Sequence, residues 1–327
     1  MSTKKRVLKM LEDNRGKSLS GQKIAEELQL SRTAIWKAMK TLKEEGHQIE
    51  SVQKSGYTLL EKSDVLNTES IQRLLNQSLP PIIIHTYSTI DSTNNEAKKK
   101  LNEKMEQDIL ILSEEQTEGK GRLGRVFVSP ASTGLYMSLV LHDVSSEKNS
   151  TLVTTVAAVA VCRAIEKLTN KTPQIKWVND LFLNEKKICG ILTEGIINME
   201  TQTTESIVLG IGVNITVSKE NVPKNLQDII GGIFDSQKNE QNITRNQLAA
   251  EIMNQFYPLY QEMESKEYLN QYRERCFVLG KEVSFKKNNE ELEGKAVAID
   301  DEGGLVVERK NNERLTLSYG EISIKVK

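Results

Sequence analysis

Apolar positions return every three or four residues in three short blocks before residue 45. Lys4 to Leu11 is the first, and Ser20 stands where it can cap a second, Gly21 to Leu28, with Ile24, Ala25 and Leu28 on one face. After the tight turn Gln29-Leu30-Ser31 a third helix is predicted over Arg32 to Glu44. Its Ile35, Ala38 and Leu42 face inward, while Arg32, Lys37, Lys40 and Lys43 lie largely elsewhere on its surface. Gly46 ends it, and the pattern changes to strands: Gln48 to Val52 and Tyr57 to Leu60 read as a hairpin around Lys54-Ser55-Gly56.

The polar stretch Glu61-Lys62-Ser63-Asp64 reads as a linker, followed by a short helix, Thr68 to Leu75, ended by Pro80-Pro81. Beyond it, strands are predicted over Ile82 to Tyr87, Ile109 to Leu112, Val126 to Val128, Leu135 to Leu141, Ile175 to Trp177, Lys187 to Thr193 and Ser206 to Val213. A helix starts near Ser92 or Thr93, for whose hydroxyls capping is a strong bland role. Another runs from Thr151 to Lys167, apolar until Arg163. Asn242 to Glu264 is helical with a kink at Pro258, and Asn221 to Phe234 has no clear assignment. From about Cys276 short alternating strands take over, with Val283 and Phe285, Val297 and Ile299, Leu305 and Val307, Leu315 and Leu317, and Ile322 and Ile324 inward. A small β-barrel is expected there. The pattern divides the chain at 1–62, 63–275 and 276–327.

Helix, short turn and basic helix make a helix-turn-helix, and the hairpin makes it winged. Residues 1–62 hold 13 Lys/Arg against 8 Asp/Glu, an excess of +5 in a chain of net charge −1. That excess and the polar tip of the hairpin favour DNA over a protein-interaction module of similar fold. Arg32, Thr33, Trp36, Lys37 and Lys40 would approach the groove or its phosphates and Lys54 would touch backbone, although Trp36 also suits a core position. Cys162, Cys189 and Cys276 are odd in number and far apart, which fits neither a disulfide framework nor a metal site and suits a reducing cytoplasm. The longest apolar run, Val156 to Cys162, is too short to span a bilayer, so no membrane role is expected.

The chemistry concentrates in Ser113 to Pro130. There Gly119, Gly121 and Gly124 alternate with Lys120, Arg122 and Arg125, a composition suited to an anion. The formal G-x-G-x-x-G match fails as a dinucleotide fingerprint because Arg125-Val126-Phe127-Val128 opens no helix. It fails as a P-loop, which needs Gly-Lys followed by Ser or Thr, because Gly124 is followed by Arg125-Val126. By composition alone, a solvated basic loop fits about as well.

Asp91-Ser92-Thr93-Asn94, this loop, Lys176-Trp177-Val178-Asn179-Asp180, Lys186 to Leu192 and Gly210-Ile211-Gly212-Val213-Asn214 follow one another in order. Together they resemble the bifunctional biotin protein ligase and biotin operon repressor family, over essentially the whole chain. The resemblance implies an α+β multidomain protein: a winged helix-turn-helix, a mixed α/β ligase domain of class II synthetase type, and a C-terminal SH3-like β-barrel. It implies condensation of biotin with ATP, aided by Mg²⁺, to biotinoyl-5′-AMP, and transfer to a lysine of the biotin carboxyl carrier domain. It also implies operator binding by a homodimer formed when the adenylate is bound.

By the same resemblance Arg122, Lys187 and Asp180 are the catalytic candidates. Biotin would be held by Ser92, Thr93, Asn94, Gln116, Lys120, Gly121, Arg122, Tyr136, Lys187 and Gly190, and ATP by Gly119, Arg122, Arg125, Phe127, Asn179, Lys187 and Asn214. Asp180 would help hold metal or accept the acceptor lysine's proton, though a turn or cap suits it nearly as well. Departures are Lys120 where the family usually has Arg, Phe127 for Trp, and Val178 for Pro. Lys120 keeps charge but lacks a bidentate fork. A lipoate-protein ligase and a non-catalytic biotin-sensing repressor are the competing readings. The polar cluster Ser92, Thr93 and Gln116 opposes the first, and retention of Arg122 and Lys187 opposes the second.

Overall fold

A computed structural model describes residues 1–327 except 53–55, 102–105, 143–149, 198–203, 235–242, 288–289, 319–324 and 327. The chain forms two compact units: one of residues 1–77 with 240–251, the other of 78–239 with 252–327.

In the first unit, α1 (Thr3–Asp13), α2 (Gly21–Leu28) and α3 (Arg32–Glu44) start as their sequences demand. Ser2, Ser20 and Ser31 each accept a hydrogen bond from the backbone N–H three residues on. Their apolar faces meet in a core of Val7, Leu8, Leu11, Ile24, Ile35, Met39 and Leu42. The antiparallel pair β1 (Ile49–Val52) and β2 (Gly56–Leu59) adds Ile49 and Leu59 to it. The hairpin tip, and with it Lys54, lies outside the described residues. α4 (Thr68–Leu74) is capped by Asn67. The segment before it is tied down by two cations: the half-buried Arg15 donates to the carbonyls of Leu60, Glu61 and Ser63, and the buried Arg245 is paired with Asp64 at 3.0 Å.

The second unit is built on a seven-stranded sheet of β3 (Ile82–Ile90), β4 (Asp108–Gln116), β5 (Gly134–His142), β6 (Gln174–Lys176), β7 (Asp180–Leu183), β8 (Lys186–Ile197) and β9 (Thr204–Asn214). The strand order is β3-β4-β5-β9-β8-β7-β6, parallel only between β3 and β4. Strand alternation gives the sheet two apolar faces. α5 (Thr93–Lys100) covers the face carrying Ile109, Ile111, Val140 and Val208 through Ala97. α6 (Ser150–Thr169) covers the other, where Thr154 meets Thr193 at 2.7 Å. α7 (Arg245–Gln261) continues past the internal Pro258. α8 (Tyr268–Arg275), a short helix missing from the sequence reading, packs against α6.

The last stretch forms β10 (Glu282–Lys287), β11 (Glu290–Ile299), β12 (Leu305–Glu308), β13 (Arg314–Leu317) and β14 (Lys325–Val326), a five-stranded antiparallel sheet ordered β13-β12-β11-β10-β14. Its inward positions differ from expectation at Leu315, which is half-buried, and in β11. A register shift between Ala296 and Ala298 turns Ala296 and Ile299 inward and leaves Val297 half-buried. Ile322 and Ile324 lie outside the described residues. No helix of the described residues is long and apolar enough to cross a membrane.

Candidate functional site

The site lies on the α5 face of the large sheet, where β8 and β9 present glycine instead of side chains. A Cβ on Gly210 would come 2.2 Å from Asn94 Oδ1, and one on Gly212 would come 2.5 Å from the Phe127 ring. Only glycine leaves room there for the start of α5 and for the loop's aromatic ring. Phe127 therefore lies over Gly190 and Gly212, edge-on to Tyr136 at 6.4 Å.

The loop between β4 and β5 does not form the strand expected at Val126 to Val128. Its pairing is limited to single bridges, Gln116 with Ser129 and Lys120 with Val126. Arg122–Gly124 makes a 3₁₀ turn in which Leu123 (φ 55°) and Gly124 (φ 72°) take left-handed backbone. Loop N–H groups are satisfied internally: Gly121 N by Arg125 O at 2.7 Å, Arg125 N by Arg122 O at 3.2 Å and Phe127 N by Gly119 O at 2.8 Å. The loop thus offers a ligand its side chains more than the Gly121 and Phe127 amides.

Two adjoining spaces result. The larger is a cleft of about 330 Å³ whose charged lining is Lys120, Arg122, Arg125, Lys176 and Lys187 with the single carboxylate Asp180. Five cations around one acid suit a polyphosphate. Lys187 Nζ pairs with Asp180 at 2.6 Å across β7 and β8, both side chains about a quarter exposed. Asp180 opens strand β7, which the sequence reading did not foresee, and pairs with Lys176 across the turn at 177–179. Arg122 Nη1 donates to Asn179 Oδ1 at 3.0 Å, and Asn179 is itself fixed by bonds in both directions to the Ile191 backbone. Asn214 lines the cleft and donates to Gly231 O at 3.2 Å.

The smaller space, about 20 Å³, is lined by Ser92, Thr93, Asn94, Gln116, Lys120, Phe127 and Gly190, among others. Lys120, Phe127 and Gly190 also line the cleft, so the two spaces share a wall. Ser92 stands at the N-cap of α5 but makes no side-chain cap bond, and Thr93 Oγ1 turns instead to Gln116 Oε1 at 2.9 Å. The capping role considered for these hydroxyls is thus not the one they take. Lys120 Nζ reaches Asn95 Oδ1 at 2.7 Å. Tyr136 and Gly119 line neither space. Tyr136 is buried and donates to Pro130 O at 2.9 Å, supporting the loop from below.

Four residues here had no role in the sequence reading. Lys176 lines the cleft, and burial, with Lys187 and Arg125 adding to it against Asp180, lowers its pKa below the ordinary lysine value. Ser129, Ser138 and Glu194 bond to the small pocket's polar residues. Alternation along β8 was the available signal for Glu194, since Gly190, Leu192 and Glu194 share a face.

On the first unit, Trp36 is 57% exposed and so is not a core residue. It lines a groove with Arg32, Gln22, Val52 and Tyr57, and Lys40 Nζ lies 5.9 Å from its ring. Thr33, Lys37 and Lys40 are exposed on the same helix.

Family models match at three places: an HTH domain at 3–58, the Biotin/lipoate A/B protein ligase family at 86–214 and a Biotin protein ligase C terminal domain at 278–325. A biotin protein ligase from Aquifex aeolicus, solved in complex with biotin and ATP, superposes with a TM-score of 0.63. It is 22% identical, covering 75% of this chain and 99% of that one, and so shares the fold. The Bifunctional ligase/repressor BirA of Escherichia coli is 28% identical over 95% of this chain and 94% of its own. With the Bifunctional ligase/repressor BirA of Bacillus spizizenii 33% identical over 89% of each chain, this protein belongs to the bifunctional ligase/repressor family.

Proposed function

We propose that this protein joins biotin to ATP as biotinoyl-5′-AMP, passes the biotinyl group to a lysine of a biotin carboxyl carrier domain, and represses transcription when the adenylate is bound. The observation that carries the reading is the pair of adjoining spaces: one whose polar lining is neutral apart from Lys120 on the shared wall, the other lined by five cations and one carboxylate. A neutral ureido ring suits the first, a triphosphate the second, and the shared wall is where the carboxylate would meet the α-phosphorus.

The biotin carboxylate is already ionised at neutral pH, so the first step needs no general base. Its oxygen attacks the α-phosphorus and pyrophosphate leaves. Arg122 and Lys187 neutralise the developing charge, and Lys176 adds a further cation. In the second step the acceptor amine attacks the acyl carbon and AMP leaves, with Asp180 as the group that takes the amine's proton. Phe127 stacks on adenine and Asn214 borders it. One carboxylate beside phosphate oxygens is a donor set that suits Mg²⁺, with Asp180 as the protein's contribution.

The exposed groove with Arg32 and Trp36, together with Lys37 and Lys40 of the same helix, meets operator DNA as part of a homodimer, in a cytoplasmic protein whose residues 276–327 form an SH3-like barrel after a catalytic domain of 63–275. Incubation with ATP, radiolabelled biotin and a carrier domain tests the enzymatic reading, and label on the carrier is the expected result. Lipoate outcompeting biotin would point to the related lipoate ligases. Biotin binding without adenylate formation would leave only a sensor.

A further inference from the structure

A row of four oxygens crosses the floor of the small pocket: Asn94 Oδ1, Ser138 Oγ, Thr93 Oγ1 and Gln116 Oε1, separated in turn by 2.6, 2.7 and 2.9 Å. Three close contacts are served by only two hydroxyl protons, those of Ser138 and Thr93. Either terminal amide would supply the missing donor if it turned its nitrogen inward, and each is prevented. Gln116 Oε1 accepts from Thr93 N at 2.8 Å, while its Nε2 donates to Ser129 Oγ at 2.8 Å. Asn94 Nδ2 donates to Glu194 Oε2 at 2.7 Å.

A carboxylate only accepts, so Glu194 holds the Asn94 nitrogen away from the row. Lys98 Nζ sits on the other carboxylate oxygen at 2.7 Å. Burial alone would raise the Glu194 pKa, but the bonds from Lys98 and Asn94 outweigh it and hold the group below the ordinary glutamate value. The acid therefore stays ionised at neutral pH. The row is one donor short, Ser138 and Asn94 are buried, and Asn94, Thr93 and Gln116 border the pocket.

We propose that Glu194 is a positioning residue for ligand selectivity: by fixing the Asn94 amide it keeps the pocket acceptor-rich, so that the pocket selects a ligand carrying N–H donors. This rests on the biotin reading above, since a ureido group brings two N–H donors and one carbonyl. The carboxylate touches Asn94 and not the ligand, and its effect is on which ligand is held rather than on the chemical step.

The test compares biotin with isosteric cyclic carbamates in which one or the other ureido N–H is replaced by oxygen, using calorimetric affinities and steady-state adenylation. The wild type should prefer biotin over at least one carbamate by roughly a hundredfold, because an acceptor facing an acceptor leaves both unsatisfied. In Glu194→Gln the neighbouring amide can both donate and accept, so Asn94 is free to turn. The preference should then contract about tenfold, with KM for biotin raised and kcat at saturation little changed. Lys98→Ala removes the same ion pair but leaves the carboxylate on Asn94, so its preference should remain that of the wild type. Glu194→Ala carries the same expectation as Glu194→Gln and replaces it should that variant fail to fold. An unchanged preference in the Glu194 variants, or an equal contraction in Lys98→Ala, overturns the inference. A wild type that binds no biotin overturns instead the function on which it rests.

Discussion

Lys187 and Asp180 hold each other at 2.6 Å across two neighbouring strands, on the wall of a cleft that gathers four further cations. A pair this exposed adds little to stability, since solvent screens it and ordering the two chains costs entropy. In the proposed reaction its value lies in keeping an ammonium where negative charge develops. Lys187→Ala should therefore leave the melting temperature within a degree or two and slow adenylate formation about a hundredfold to a thousandfold, as loss of one transition-state charge partner does. Pyrophosphate release measured in single turnover checks this, and a rate near that of the wild type would return Lys187 to solvent. At Gly212 the prediction concerns space. A methyl there would meet the Phe127 ring at 2.5 Å, so Gly212→Ala should push the ring off the sheet. ATP affinity should fall by about tenfold, a cost of roughly 1.4 kcal/mol. Titration calorimetry with ATP would show whether the ring contributes to the nucleotide site.

Among elements, the third helix shows how a local pattern and a buried titratable group combine. His47 follows its C-terminus, with its N–H on Leu42 O at 3.0 Å and its side chain buried. Burial lowers its pKa from the ordinary 6.5, with Glu12 and Glu45 opposing and Arg15 and Lys4 assisting. The unfolded chain therefore takes up this proton more readily than the folded one, and stability falls as the pH falls. The contribution is intact above the unfolded value near 6.5 and lost once the pH has passed below the folded value. Each pKa unit separating the two states is worth about 1.4 kcal/mol. The first unit should accordingly melt at lower temperature at pH 5 than at pH 7.5, and His47→Gln should flatten that dependence. Thermal scans of the full-length protein across this range decide it, and a slope unaffected by the substitution would assign the acid sensitivity to other groups.

At the scale of the whole molecule, two compact units carry two chemistries. Removal of residues 1–62 leaves Asp64 with Arg245 and the Asn67 N–H with Asn246, but deletes Glu12, whose carboxylate accepts from Asn67 at 3.1 Å. The truncated chain should still label the carrier domain while binding no operator, because Arg32, Lys37 and Lys40 leave with the removed segment. In the full-length protein, operator affinity should drop by roughly three orders of magnitude between about 50 and 200 mM salt as counterions are released. Gel-shift titrations with and without biotin and ATP measure this, together with the coupling. Adenylate that strengthens operator binding must be retained more tightly by operator in the same ratio. Equal operator affinity in both conditions would break the proposed switch while leaving the ligase intact.

The sequence by itself determined whatever local chemistry dictates. Ser20 and Ser31 start their helices where hydroxyls before apolar periods predict, and Ile35, Ala38 and Leu42 are buried as their spacing requires. The order of short motifs around the glycine loop was enough to indicate the family. Pairings between distant residues were decided only in three dimensions. Val126 to Val128 have strand composition yet gain single bridges rather than a ladder, because the loop spends its N–H groups on itself. Val297 gives up its inward place to Ala296 because a bulge shifts the register, and a bulge depends on the partner strand. Trp36 has a core residue's composition and a surface position, since its turn of α3 faces the groove. Glu194 meets Asn94 across 100 residues of chain because β8 and the start of α5 share one face of the sheet. Such contacts depend on strand order and register, and a periodic pattern specifies which face a residue takes but not what it will face.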